Sequence, residues 1–110
     1  MNLNNVKMNV IKTAENGVVN DLTIFTFSQV QNFVTAIYSG GKIFQGNLVG
    51  VITQNKLNFC YCQIQENGEI DNGKSECEIT IGEDNKLRLI ENFIWNSKNG
   101  ETGINIFQEL

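Results

Sequence analysis

The sequence predicts an all-β fold: an antiparallel meander of about eight short strands, curled into a small closed β-barrel. Three observations predict it. Apolar and polar residues alternate with period two through most of the chain, and no stretch carries a convincing helical repeat. The alternating segments are separated by Asn-Gly and Gly-Gly pairs, with no proline anywhere, so glycine and asparagine must supply the turns. Between Gly41 and Gln65, glycines fall opposite aromatic residues, the device by which a strongly bent strand makes room for a bulky inward side chain. A bent meander closes most economically on itself, which removes its exposed edges.

The first strand is expected over Val6 to Thr13, with Val6, Met8 and Val10 on one side. Glu15-Asn16-Gly17 turns the chain into Leu22 to Ser28, where Leu22, Ile24 and Thr26 alternate against Thr23, Phe25 and Phe27. Both sides are apolar enough to be covered. Phe33 to Ser39 follows, and Gly40-Gly41 is a two-residue hairpin signal. In the next limb Phe44, Leu48 and Ile52 share a side with Gly46 and Gly50; in the limb after it Leu57, Phe59 and Tyr61 do the same. Pairing Thr53 with Lys56 across Gln54-Asn55 puts Gly50 opposite Phe59 and Leu48 opposite Tyr61. Glu66 to Gly73 contains two competing Asn-Gly turns, leaving the register of Lys74 to Ile81 open. Lys86 to Asn96 and Glu101 to Glu109 close the series, joined by Ser97 to Gly100. A single helical turn in the first third would leave the class unchanged.

At 110 residues the chain fits one domain, 1–110, with a core of its own. The net charge of -4 and the scattered Lys and Arg argue against a nucleic-acid partner, which needs a basic stripe. No apolar run is long enough to span a membrane, and Met1 to Asn5 is polar rather than signal-like, so neither a membrane partner nor export is expected and the setting is cytoplasmic. With no histidine, Ser-His and Cys-His nucleophiles and most transition-metal sites are excluded. Gly40-Gly41-Lys42 lacks the spaced glycines and following helix of a phosphate loop, so no cofactor is expected.

Leu87, Leu89, Glu91, Phe93 and Trp95 project to one face, so a carboxylate interrupts an apolar stripe. Glu91 either serves a ligand or sits at the rim, paired with a lysine such as Lys74. Trp95 and Tyr61 have apolar bodies with polar tips and, with Phe59, either line a pocket or fill the core. Glu91, Trp95, Tyr61 and Phe59 are therefore the candidate ligand-binding residues; none is assigned to catalysis or metal. Pairing Gln65 with Lys74 would bring Cys62 opposite Cys77 in a disulfide or thiolate site; otherwise the three cysteines, Cys60 among them, are small apolar residues on a sheet face. Pairing Asn96 with Glu101 would set Arg88 against Glu109.

Several segments together resemble a family of short bacterial proteins often labelled N-acetylglutamate synthase: Ser39-Gly40-Gly41-Lys42-Ile43, Gly46-Asn47-Leu48-Val49-Gly50, Asn67-Gly68-Glu69 with Gly73-Lys74, and Leu87-Arg88-Leu89-Ile90-Glu91 with Trp95 and Gly103. Ile90 and Phe93 depart from the family pattern, where a polar residue and tryptophan are usual. The label implies an acetyltransferase, whose usual α/β fold and pyrophosphate loop the sequence does not display. The expected barrel itself resembles the calycin type, the lipocalins and avidins. Three functions follow: a noncatalytic binder of a small-molecule ligand inside the barrel; a plugged barrel whose outer face, through the apolar residues of Leu22 to Ser28 with Ile90, Ile94 and Phe107, forms a homodimer; and, from the label alone, acetyl transfer.

Overall fold

The computed structural model describes residues 2–110. Eight antiparallel strands, β1 (Lys7–Lys12), β2 (Ile24–Val30), β3 (Phe33–Gly40), β4 (Ile43–Thr53), β5 (Lys56–Gln65), β6 (Ile70–Ile81), β7 (Leu87–Trp95) and β8 (Thr102–Glu109), pair in chain order, and β8 returns to β1 to close the barrel. The described residues contain no helix. Alternation is the reason: β5 reads exposed-buried from Lys56 to Gln65 without a break, and β6 does so from Ile70 to Ile79.

Gly50 pairs with Phe59 and Leu48 with Tyr61, as the Thr53–Lys56 hairpin requires. The bend of the sheet rests on four such partnerships. A Cβ on Gly46 would lie 2.1 Å from the Tyr38 ring, on Gly50 2.6 Å from Phe59 Cβ, on Gly73 2.5 Å from Tyr61 Oη, and on Gly103 2.3 Å from the Phe93 ring. Tyr38, Tyr61 and Phe93 therefore lie across the bare backbone of the next strand, and Gly50 leaves room for Phe59 at its Cβ.

Several expected registers are corrected. Phe44 is 62% exposed, because the β4–β5 register shifts between Ile43 and Gln45 and carries Ile43 inward in its place. Of the two Asn-Gly turns the first is used: Gly68 adopts φ +90°, and Glu69 N donates to Asn67 Oδ1. Gly73 is thereby freed to sit within β6 beneath Tyr61. With Ile64 opposite Ile70, Cys62 faces Asn72 and Cys77 faces Leu57, so Cys62 and Cys77 do not meet; Cys60 and Cys62 are exposed and Cys77 is buried. The last hairpin is offset by one residue, placing Arg88 opposite Gln108 rather than Glu109, with Arg88 Nε donating to Gln108 Oε1 at 2.8 Å. β2 is covered on one side only: Phe25 and Phe27 are buried, while Leu22 just before it and Thr26 are exposed. Phe107 points inward and is buried, so it belongs to no outer face.

The interior has two unlike ends. At the end where β2 meets β3 and β4 meets β5, Leu3, Met8, Phe27, Val34, Leu57 and Leu89 are buried together in an apolar core. Each such side chain contributes about 1.5–3 kcal/mol on leaving water. At the opposite end the inward residues are aromatic and polar, and the Lys12–Ile24 connection folds Val18 and Val19 over the mouth.

Candidate functional site

The open end is built from rows of inward residues that the registers align. Tyr61, Gly73 and Trp95 form one row across β5, β6 and β7; Phe59, Ser75, Phe93 and Gly103 form the next; Cys77, Glu91 and Asn105 form a third. The rings pack edge to face, with centroids 5.6 Å apart for Tyr61–Trp95 and 5.4 Å for Phe93–Trp95. On the facing wall Phe25 and Tyr38 stack at 4.2 Å. These walls enclose a cavity of about 30 Å³. Phe59, Tyr61, Glu91 and Trp95 all line it, so the four residues singled out in the sequence come together.

Glu91 is the chemical centre. It is 5% exposed; Ser75 Oγ donates to its Oε2 at 2.6 Å and Asn105 Nδ2 to its Oε1 at 2.9 Å. Burial pushes the carboxyl above its ordinary pKa, and the two hydrogen bonds offset only part of that. Lys74 does not reach it: it stands on the outer face of β6, exposed, between Cys60 and Ile94. Asn105 Oδ1 in turn accepts from Ala14 N at 2.9 Å, which ties Glu91 to the segment covering the mouth.

Beside it runs a second polar system that sequence reasoning missed. Asp71, 2% exposed, accepts from Gln63 Nε2 at 3.1 Å and Gln65 Nε2 at 2.9 Å, and Gln63 Oε1 accepts from Tyr38 Oη at 2.8 Å. Lys98, on the β7–β8 turn, holds its ammonium 3.8 Å from Asp71 Oδ1 and 4.9 Å from the centre of the Trp95 ring. A signal for Gln63 and Gln65 was present, since the Leu57-Phe59-Tyr61 stripe continues through them. Asp71 was hidden inside the ambiguous turn region.

Two buried polar atoms, Tyr61 Oη and Trp95 Nε1, have no hydrogen-bond partner among the described residues. A buried donor left unmade costs about 1–3 kcal/mol; both atoms belong to residues that line the cavity, and Tyr61 Oη lies against the Gly73 backbone. Desolvation, with Glu91 next, raises the phenols of both Tyr38 and Tyr61 far above their ordinary range, so they stay protonated. Among the described residues no three His, Cys, Asp or Glu side chains are grouped to hold a metal.

A closed meander of eight strands with an apolar core at one end and an aromatic cavity at the other defines the class of small up-and-down β-barrels. The family model described as avidin-like protein matches residues 1–110, and the chain belongs to that family. No curated protein and no solved structure matches it.

Proposed function

We propose that the protein binds a small molecule at the open end of its barrel and performs no reaction on it. The observation that carries this reading is an aromatic cavity lined by Glu91 together with Tyr61 and Trp95, whose buried Oη and Nε1 have no hydrogen-bond partner among the described residues. Membership of the avidin-like family supports it, since such proteins bind small ligands, biotin among them. The cavity of about 30 Å³ has room for roughly two waters. Pockets for larger organic ligands span roughly 300–1,000 Å³, so such a molecule requires Val18 and Val19 to swing aside. The cytoplasmic setting expected from the sequence is part of this proposal. Acetyl transfer gains no support from a barrel without helices.

Trp95 is the only tryptophan in the chain and so reports on the cavity directly. Screening compounds of about ten heavy atoms or fewer by Trp95 emission, with Tyr61→Phe and Glu91→Gln as controls, tests the site. A ligand whose emission change is weakened in both variants is expected. Binding indifferent to both, or none across the set, would sink the reading.

A second reading, a homodimer formed by the outer face, is favoured by one feature. The outward side chains Val49, Val51, Ile94 and Ile104 lie on a concave exterior surface across β4 to β8, and avidin-like proteins are often oligomeric. Light scattering that gives a monomer mass at high protein concentration excludes it.

A further inference from the structure

Charge and wall chemistry at the open end restrict the ligand further. The cavity wall contains two kinds of group that favour positive charge. Aromatic rings supply most of it, Phe25, Tyr38, Phe59, Tyr61, Phe93 and Trp95, and a ring face carries the negative end of its quadrupole. Glu91 supplies a carboxyl. No lysine or arginine lines the cavity, and none is among the buried residues.

The two buried carboxyl groups differ in how they are matched. Asp71 has the Lys98 ammonium beside it. Glu91 has only neutral neighbours: Ser75 and Cys77 from β6, Asn105 from β8, and Tyr38 and Tyr61, whose ionisation its charge opposes, from β3 and β5. Its two hydrogen bonds leave roughly half of a carboxylate's acceptor capacity free. The phenol oxygen of Tyr61, unpartnered, can accept as well as donate.

At the rim the protein already holds an ammonium between a buried carboxylate and an aromatic face, in the Lys98, Asp71 and Trp95 cluster. Glu91, earlier on β7 than Trp95, lines the cavity together with aromatic rings, so carboxyl and ring recur there with no ammonium supplied by the chain. Resting on the reading that this cavity is a ligand site, we propose that its ligand is a small protonated amine whose ammonium group sits against Glu91 inside the aromatic wall. An ammonium group is close to water in size, and methylammonium, with two heavy atoms, takes about the space of the two waters the cavity has room for. Anions are disfavoured by both Glu91 and Asp71.

The test titrates methylammonium chloride into the full chain at constant ionic strength, replacing sodium chloride and reading Trp95 emission. Acetamide and sodium acetate form parallel arms. The expected result is a saturable change with methylammonium, at least about tenfold weaker with acetamide and absent with acetate. Glu91→Gln, which keeps the shape of the side chain, should abolish it, whereas Glu76→Gln on the outer face should not. If Glu91→Gln fails to fold, the wild-type protein still decides: methylammonium affinity must rise with pH as Glu91 ionises, and a flat profile overturns the proposal. Binding of acetamide or acetate at least as tight as that of methylammonium overturns the amine and leaves the ligand site standing. Methylammonium binding retained in a folded Glu91→Gln also overturns the amine. No response from Trp95 in any arm overturns both the amine and the binding reading for ligands of this size.

Discussion

The two ends of the barrel interior are built by the same strands and differ in what they leave unfinished. At the closed end, Leu3, Phe27, Leu57 and Leu89 are apolar side chains with no accessible surface left. At the open end the same alternation delivers Tyr38, Tyr61, Gln63, Asp71, Glu91 and Trp95, and some of their polar atoms find partners while others do not. Period-two alternation thus decides only that a side chain points inward. Which end of the strand it occupies decides whether it stabilises the fold or creates a site.

Substitutions at the two ends should therefore separate stability from the properties of the cavity. The largest effect is expected from Phe27→Ala at the closed end: a loss of about 3–5 kcal/mol in urea unfolding, with Trp95 emission of the folded protein unchanged. Gly73→Ala comes next, at about 1–3 kcal/mol, because the added methyl group meets Ile94 O and the Tyr61 ring. Here the emission of Trp95, which packs on Tyr61, should shift as well, and an unchanged spectrum would mean that the ring does not rest on that backbone.

Glu91 gives a pH signature that the closed end cannot. Its folded pKa lies above its unfolded one, so the folded state holds the proton more tightly. That contribution is complete below the ordinary carboxylate range and is lost as pH rises through the raised value. Unfolding free energy measured against pH should fall over that window in the wild type and stay flatter in Glu91→Gln. The smallest effect is expected outside the barrel: Lys56→Ala removes the 3.2 Å ion pair with Glu76, in which both side chains are more than half exposed, and should cost at most about 1 kcal/mol, less in high salt.

The barrel was legible because its cause is local. Alternation, Asn-Gly and Gly-Gly turns and glycine opposite aromatic residues are all visible within one hairpin, and the Gly50–Phe59 and Leu48–Tyr61 pairs follow from a single turn. The inward stripe of β7 likewise made Glu91 and Trp95 visible. What escaped was whatever depended on a choice between neighbouring registers. The selection of Asn67-Gly68 over Asn72-Gly73 fixed where Asp71 points, and nothing near the turn reveals that Gly73 is needed elsewhere, under Tyr61. Phe44 misled for the same reason: one irregularity after Ile43 reverses the parity on which its facing depends. Tyr38 enters the site from β3, far from Glu91 in the chain, and only closure of the barrel brings it to the cavity; Asn105 lies directly across the β7–β8 hairpin from Glu91, and the one-residue offset of that hairpin concealed it.

Closure is uneven around the circumference. β4 and β5 share ten residue pairs, whereas β1 and β2 share two, Lys7 with Thr26 and Met8 with Phe25. Below that seam the backbones of Asn5 and Val6 bond to Phe27 and fasten it; above, the strands part, and the segment that arches between them carries Val18 and Val19. Amide hydrogens of Ala14 to Thr23 should consequently exchange with deuterated solvent well before those of β4 and β5, and an occupied cavity should slow them selectively. If the cavity takes a guest as proposed, the gap beside this segment makes its admission and the first fraying of the barrel one and the same movement.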